Sequence, residues 1–169
     1  PDMLPDQEVE GLGGALAPAA LEDSVPLGRG PRRPTTGGGV LPRRQAFIPF
    51  ITQGAFDIVQ PDVTKVGGLS EQRRIAWLAR DFGVKYVGHG WNTALGLASD
   101  LQLATALPNV DLVEYIGGSA YVDRIIERPF GLDADGMLAI PDAPGLGVTL
   151  DPEKVARYTP DAAAFFAAD

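Results

Sequence analysis

Three short apolar runs set the pattern of this chain. Residues 56–61 read FDIVQP, residues 84–88 read VKYVG and residues 110–113 read VDLV. Turn residues bound each run, and a longer segment with apolar positions at helical spacing separates it from the next. In SEQRRIAWLARDFG (70–83), Ile75, Leu78, Ala79 and Phe82 recur on one helical face, with Ser70 as the expected N-cap and Gly83 as the stop. ALGLASDLQLATAL (94–107) predicts a second helix, with Asn92 or Thr93 as cap and Pro108-Asn109 as terminator. Upstream, RRQAFIPFITQGA (43–55) predicts a helix that Pro49 ends or kinks. Strands at Phe56–Asp62, Val84–Gly88 and Leu112–Ile116 alternating with helices predict a parallel sheet in an α/β fold. Val63–Gly68 reads as a loop.

The flanks read differently. EVEGLGGALAPAALED (8–23) is a helical pattern broken by Gly13, Gly14 and Pro18, and Val25-Pro26-Leu27 is a candidate short strand. GRGPRRPTTGGG (28–39) has no periodicity and reads as a flexible loop or as sequence foreign to the fold. Beyond Glu114 the chain is rich in turns. Asp135-Gly136 between short apolar runs predicts a hairpin in a tail that folds back instead of completing another strand–helix unit. The expected division is an irregular lead-in at 1–41 and an ordered unit at 42–169.

Each apolar run ends on a polar side chain: Asp62, His89 and Glu114. The first two are 27 residues apart and the second pair 25, close to the roughly 30 residues of one unit in an eight-fold β/α barrel. In such barrels the chemistry is done at the C-terminal ends of the strands. Neighbouring strands lie about 4.8 Å apart, so Asp62 and His89 can share a hydrogen bond. A carboxylate on one ring nitrogen fixes the tautomer and favours the protonated ring, freeing the other nitrogen to move a proton. Glu114 would stand on the far side of His89 as a second acid. Lys65 could line the same mouth, or serve only a loop ion pair. Each residue alone has an ordinary structural reading; three in phase on successive strands point to an active site.

Composition narrows the alternatives. With 14 basic and 22 acidic residues the formal net charge is −8, which argues against nucleic acid or an anionic membrane as partner. The chain has no cysteine and one histidine, so disulfides and a zinc site are not expected. Ser99 and Ser119 lack the setting of an activated nucleophile. No apolar run suits a membrane span, so the expectation is a cytoplasmic protein. At 169 residues the chain holds one sizeable core but not a whole barrel, which takes at least about 200.

Larger blocks carry a resemblance. Asp57–Gly68 (DIVQPDVTKVGG), His89–Ala94 (HGWNTA), Val113-Glu114-Tyr115, Asp135-Gly136 and Ile140–Gly147 (IPDAPGLG) resemble the enolase superfamily, in its mandelate racemase/muconate lactonizing enzyme branch. The match is specific from about residue 42 to 159, weaker over 4–27 and lost over 28–39. The resemblance implies the C-terminal half of a (β/α)7β TIM-type barrel, abstraction of the proton α to a carboxylate, and Mg2+ stabilising the enediolate. It assigns His89 as general acid/base, Asp62 as its partner and Glu114 as the acid facing the substrate, with Lys65 and Asn92 as substrate-binding candidates. It places two metal ligands before Pro1 and the third where this chain reads Gly37-Gly38-Gly39, so position 39 has no ligating side chain. The expectation is a fragment that does not itself bind Mg2+, of an acid-sugar dehydratase or racemase that is homo-oligomeric in complete form and acts on a small carboxylate substrate. A muconate-type cycloisomerase is the alternative, disfavoured by Asp rather than Lys at position 62. A non-catalytic interaction module is another.

Overall fold

The computed structural model describes residues 34–117 and 124–159. Three two-residue strands form one parallel sheet in sequence order: β1 (Thr36–Gly37), β2 (Ile58–Val59) and β3 (Lys85–Tyr86). Its helices are α1 (Arg43–Thr52), α2 (Val63–Val66), α3 (Leu69–Asp81), α4 (Ala94–Thr105) and α5 (Pro152–Ala156). Helix thus follows strand throughout the sheet, as the alternating pattern predicts, in an open, partial form of the α/β barrel arrangement.

The ladder extends beyond the strands proper. Lys85, Val87 and His89 donate backbone N–H groups to Asp57, Val59 and Pro61, so β2 and β3 stay in register up to the polar residues that end them. Thr35 fastens the other edge: its backbone N–H and its hydroxyl both donate to Asp57 Oδ2.

The core lies between sheet and helices. Phe47, Phe50 and Ile51 of α1 pack with Val59, with Ile75, Ala76 and Ala79 of α3, and with Tyr86. Phe50 stacks on Phe56 with ring centroids 4.9 Å apart. Pro49 sits inside α1 without ending it. Phe47, wholly buried, carries the largest apolar share of α1. Phe47→Ala is expected to cost about 3–5 kcal/mol, read as a lower urea midpoint at unchanged m-value.

Four expectations are corrected. Val63–Gly68 is not simply a loop: Asp62 caps a short helix there, accepting the Thr64 N–H at 2.9 Å. Ser70 does not cap α3, which begins one residue earlier with Gly68 in the cap position. Thr36–Gly37, inside the stretch read as irregular lead-in, is a strand hydrogen-bonded to β2. Leu112–Ile116 forms no strand; that side is joined to β3 by the bond from Tyr86 N–H to the Asn109 carbonyl and by the Lys85–Asp111 ion pair, and the tail continues as an irregular strap. Thr93 stands in the cap position of α4 but makes no side-chain cap bond. The readings at 8–23 and 25–27 lie outside the described residues.

The tail does fold back. Leu132 bridges antiparallel to Leu138 around the Asp135-Gly136 turn, and Ile126 bridges Leu150. Tyr115, Phe130 and Leu138 cover Leu97 and Leu101 of α4, and Gln102 Nε2 donates to the Pro141 carbonyl at 2.7 Å. Among the described residues no helix is long and apolar enough to cross a membrane.

Candidate active site

Two of the predicted residues meet as expected. His89 Nδ1 lies 3.0 Å from Asp62 Oδ2 at the ends of adjacent parallel strands. The Asp62 side chain is fully buried and takes three further hydrogen bonds: Thr64 N–H at 2.9 Å and Thr64 Oγ1 at 2.6 Å on Oδ1, and Lys65 Nζ at 2.5 Å on Oδ2. Burial works to raise the carboxyl's pKa, but the bonds from His89, Lys65 and Thr64 outweigh it and hold it well below the usual 3.8. An ionised carboxylate only accepts, so the ring proton of His89 sits on Nδ1 and Nε2 is the free nitrogen.

Nε2 lies over Gly39. A Cβ built there would stand 2.5 Å from Nε2 and 2.4 Å from Cδ2, so the absence of a side chain at 39 gives the imidazole its place. Glu114 approaches from the other strand end without a strand of its own. Its Oε2 accepts the Gly90 N–H at 2.5 Å, and the two backbones come so close that a Cβ at Gly90 would meet the Glu114 carbonyl oxygen at 2.2 Å. Glu114 is therefore fixed to the residue next to His89. Lys65 is the ion-pair partner of Asp62 and is itself exposed at the rim. Asn92 is buried, and its Nδ2 donates to the His89 carbonyl at 3.0 Å, bracing the turn that carries the imidazole.

Sequence reasoning passed over two polar residues behind the dyad. Gln72 is fully buried on the apolar face of α3, where its spacing to Ile75, Ala76 and Ala79 was a visible irregularity. Its Nε2 donates to the Pro61 carbonyl at 3.0 Å and to Asp100 Oδ1 at 2.7 Å. Asp100, on α4, has its pKa pushed up from 3.8 to about 7, chiefly by burial; the amides of Gln72 and Asn92 oppose this, the charge of Asp62 adds to it and that of His89 opposes it.

The chemistry of the donor set can be tested against a divalent cation, which the resemblance implies. Among the described residues no three His, Asp or Glu side chains stand together so as to hold a metal ion, and Gly39 offers no ligand. These residues do not fit Mg2+.

The family model for the enolase C-terminal domain-like proteins matches residues 18–155. The chain belongs to that family. Among curated relatives, the D-galactarolactone cycloisomerase of Agrobacterium fabrum is 31% identical over 153 residues, covering 85% of this chain and 40% of that protein. A D-galactonate dehydratase family member of Streptomyces bingchenggensis is 37% identical over 111 residues, 64% of this chain and 27% of that protein. The crystal structure of a mandelate racemase/muconate lactonizing enzyme from a Sulfitobacter species superposes with a TM-score of 0.77 at 29% identity, over 89% of this chain and 38% of the other. This enolase-type domain thus spans well under half the length of the relatives it matches.

Opposite pH dependences follow for the two buried carboxyls. Asp62 titrates lower folded than unfolded, so its contribution is present above pH ~4 and lost as acid protonates it. Asp100 titrates higher folded than unfolded, so its contribution is present below pH ~4 and falls away between about 4 and 7. Relative to the parent, Asp100→Asn is expected to gain urea midpoint steadily from pH 5 to 7.5. Asp62→Asn, which leaves Lys65 and His89 facing a neutral amide, is expected to lose about 2–3 kcal/mol at pH 7.

Proposed function

We propose that this chain supplies the acid/base side of an enolase-type active site that moves the proton α to the carboxylate of an acid sugar, most readily in a dehydratase. The observation that carries the proposal is the 3.0 Å contact between His89 Nδ1 and Asp62 Oδ2, with Nε2 left free. A base near neutral pH needs one ring nitrogen held and the other available, and a fully hydrogen-bonded carboxylate behind the ring supplies the first condition. Relatives named for D-galactarolactone and D-galactonate support an acid-sugar substrate over a simple 2-hydroxy acid.

In the dehydration we propose, the free Nε2 takes the α-proton from C2 and then, as Nε2–H, passes that proton to the β-hydroxyl as the C3–O bond breaks. Water is lost, and the resulting enol ketonises to a 2-keto-3-deoxy acid. Glu114, fastened to the Gly90 N–H, would face the substrate carboxylate side, and Lys65 would offer a cation at the rim. Asn92 keeps the His89 turn in place. An α-proton beside a carboxylate is so weakly acidic that imidazole alone cannot remove it without stabilisation of the developing dianion. Enolase-type enzymes meet this need with Mg2+. The described residues hold no ligand set for it, so no step here runs through a metal, and the reading requires the remainder of a complete barrel. Aspartate at position 62 weighs against the muconate-type alternative.

The test is exchange of α-protons into deuterated buffer, followed by NMR across a panel of aldonic and aldaric acids. A version extended with an upstream barrel portion and carrying Gly39→Glu, in which NMR shows the His89 ring still bonded to Asp62, is expected to exchange and to form 2-keto-3-deoxy product, with the 169-residue chain silent. His89→Asn in the extended version is expected to slow product formation by about 10²–10⁴-fold. Silence from the extended version as well would overturn the proposal, and inverted configuration without loss of water would reassign it to racemisation.

A further inference from the structure

The dyad is held from behind as well as from the side. The Pro61 carbonyl, one residue before Asp62, receives the backbone N–H of His89 at 3.1 Å and the side-chain amide of Gln72 at 3.0 Å. The same Gln72 nitrogen reaches Asp100 Oδ1 at 2.7 Å. Both Gln72 and Asp100 are buried, at 0% and 2% exposure. The Asp100 carboxyl also packs against the backbone of Gly88, the residue before His89: a Cβ there would lie 2.6 Å from its Cγ and 2.7 Å from Oδ1. One polar pair, contributed by two helices, therefore touches the residue just before each member of the dyad.

Such a pair is costly to bury for stability alone. Asp100 Oδ2 and Gln72 Oε1 have no hydrogen-bond partner among the described residues, and a half-satisfied buried network is worse than an apolar one of the same shape. Neighbouring apolar positions on the same faces, Ile75 and Ala76 on α3 and Leu97 and Leu101 on α4, show that the site could be filled without polarity. What the polar pair does, and an apolar pair could not, is fix the direction of the Pro61 carbonyl and hence the register of the two strand ends.

We propose that Gln72 and Asp100 are positioning residues for the Asp62–His89 dyad, acting through the Pro61 carbonyl and the Gly88 backbone to orient the imidazole. As a statement about catalysis this rests on the function proposed for His89. As a statement about geometry it does not, and the test reads geometry.

His89 is the sole histidine of the chain, so its ring protons and nitrogens are assignable by NMR in the 169-residue protein without further variants. A downfield Nδ1–H signal, protected from solvent by its bond to Asp62, is expected. Gln72→Met keeps the bulk and removes the donor, and is expected to speed exchange of that proton at least about tenfold. Asp100→Asn keeps an oxygen for Gln72 and is expected to leave exchange within about twofold. Wild-type exchange in a folded Gln72→Met protein would overturn the proposal. Should that variant not fold, Gly88→Ala, whose methyl displaces the Asp100 carboxyl, reads the same signal, and unchanged exchange there would overturn it equally. The ring proton reports whether or not any α-proton exchanges, so failure of this inference and failure of the proposed function are seen separately.

Discussion

A fully buried carboxylate must be hydrogen-bonded on nearly every lone pair or give up its charge, and Asp62 meets that demand from four donors. Thr64 supplies two, which start α2; Lys65 supplies one from the rim; His89 supplies the fourth across the strand gap. Removing any of these donors leaves a charge short of partners in an apolar surround. The local chain path follows from this one requirement: the extended segment after β2 must stop at Asp62, a helical turn must begin there, and β3 must run parallel so that His89 beyond it arrives alongside.

Close backbone approach is the second constraint. Gly88 admits the Asp100 carboxyl, Gly90 admits the Glu114 carbonyl, and Gly39 admits the imidazole edge. At these three places it is the lack of a Cβ, rather than freedom in φ, that the packing uses. A methyl at any of them would displace a polar group that belongs to the site or braces it.

The pairing of Asp62 with His89 was legible because it depends on the phase of repeated units, and phase survives in sequence as spacing. The tail was legible for a similar reason: Asp135-Gly136 encodes its turn locally, and Gly136 adopts a φ of 74° there. What could not be read was settled by contacts distant in sequence. Thr36–Gly37 became a strand because β2 offers it partners and Asp57 fastens Thr35 beside it. Leu112–Ile116 did not, because the returning chain meets β3 through Asn109 and Asp111 and then turns Val113 and Tyr115 onto α4. Gln72 and Asp100 were hidden in helices whose apolar neighbours dominate the pattern, although a glutamine on the Ile75–Ala79 face was a signal that a buried partner had to exist.

Position 39 and the dyad are coupled through space. The free nitrogen of His89 occupies the volume that a side chain at 39 would need, so a carboxylate introduced there cannot enter as a bystander. The imidazole must swing toward open space or the β1 end must retreat. Swinging the ring strains the bond to Asp62, and Asp62 cannot release it without leaving a buried charge short of one donor. Retreat of β1 works against the ladder from Thr35 and Gly37 to residues 57–60 and against Leu41, whose N–H is bonded to the Gly38 carbonyl. The glycine at 39 and the present orientation of His89 are therefore one structural solution.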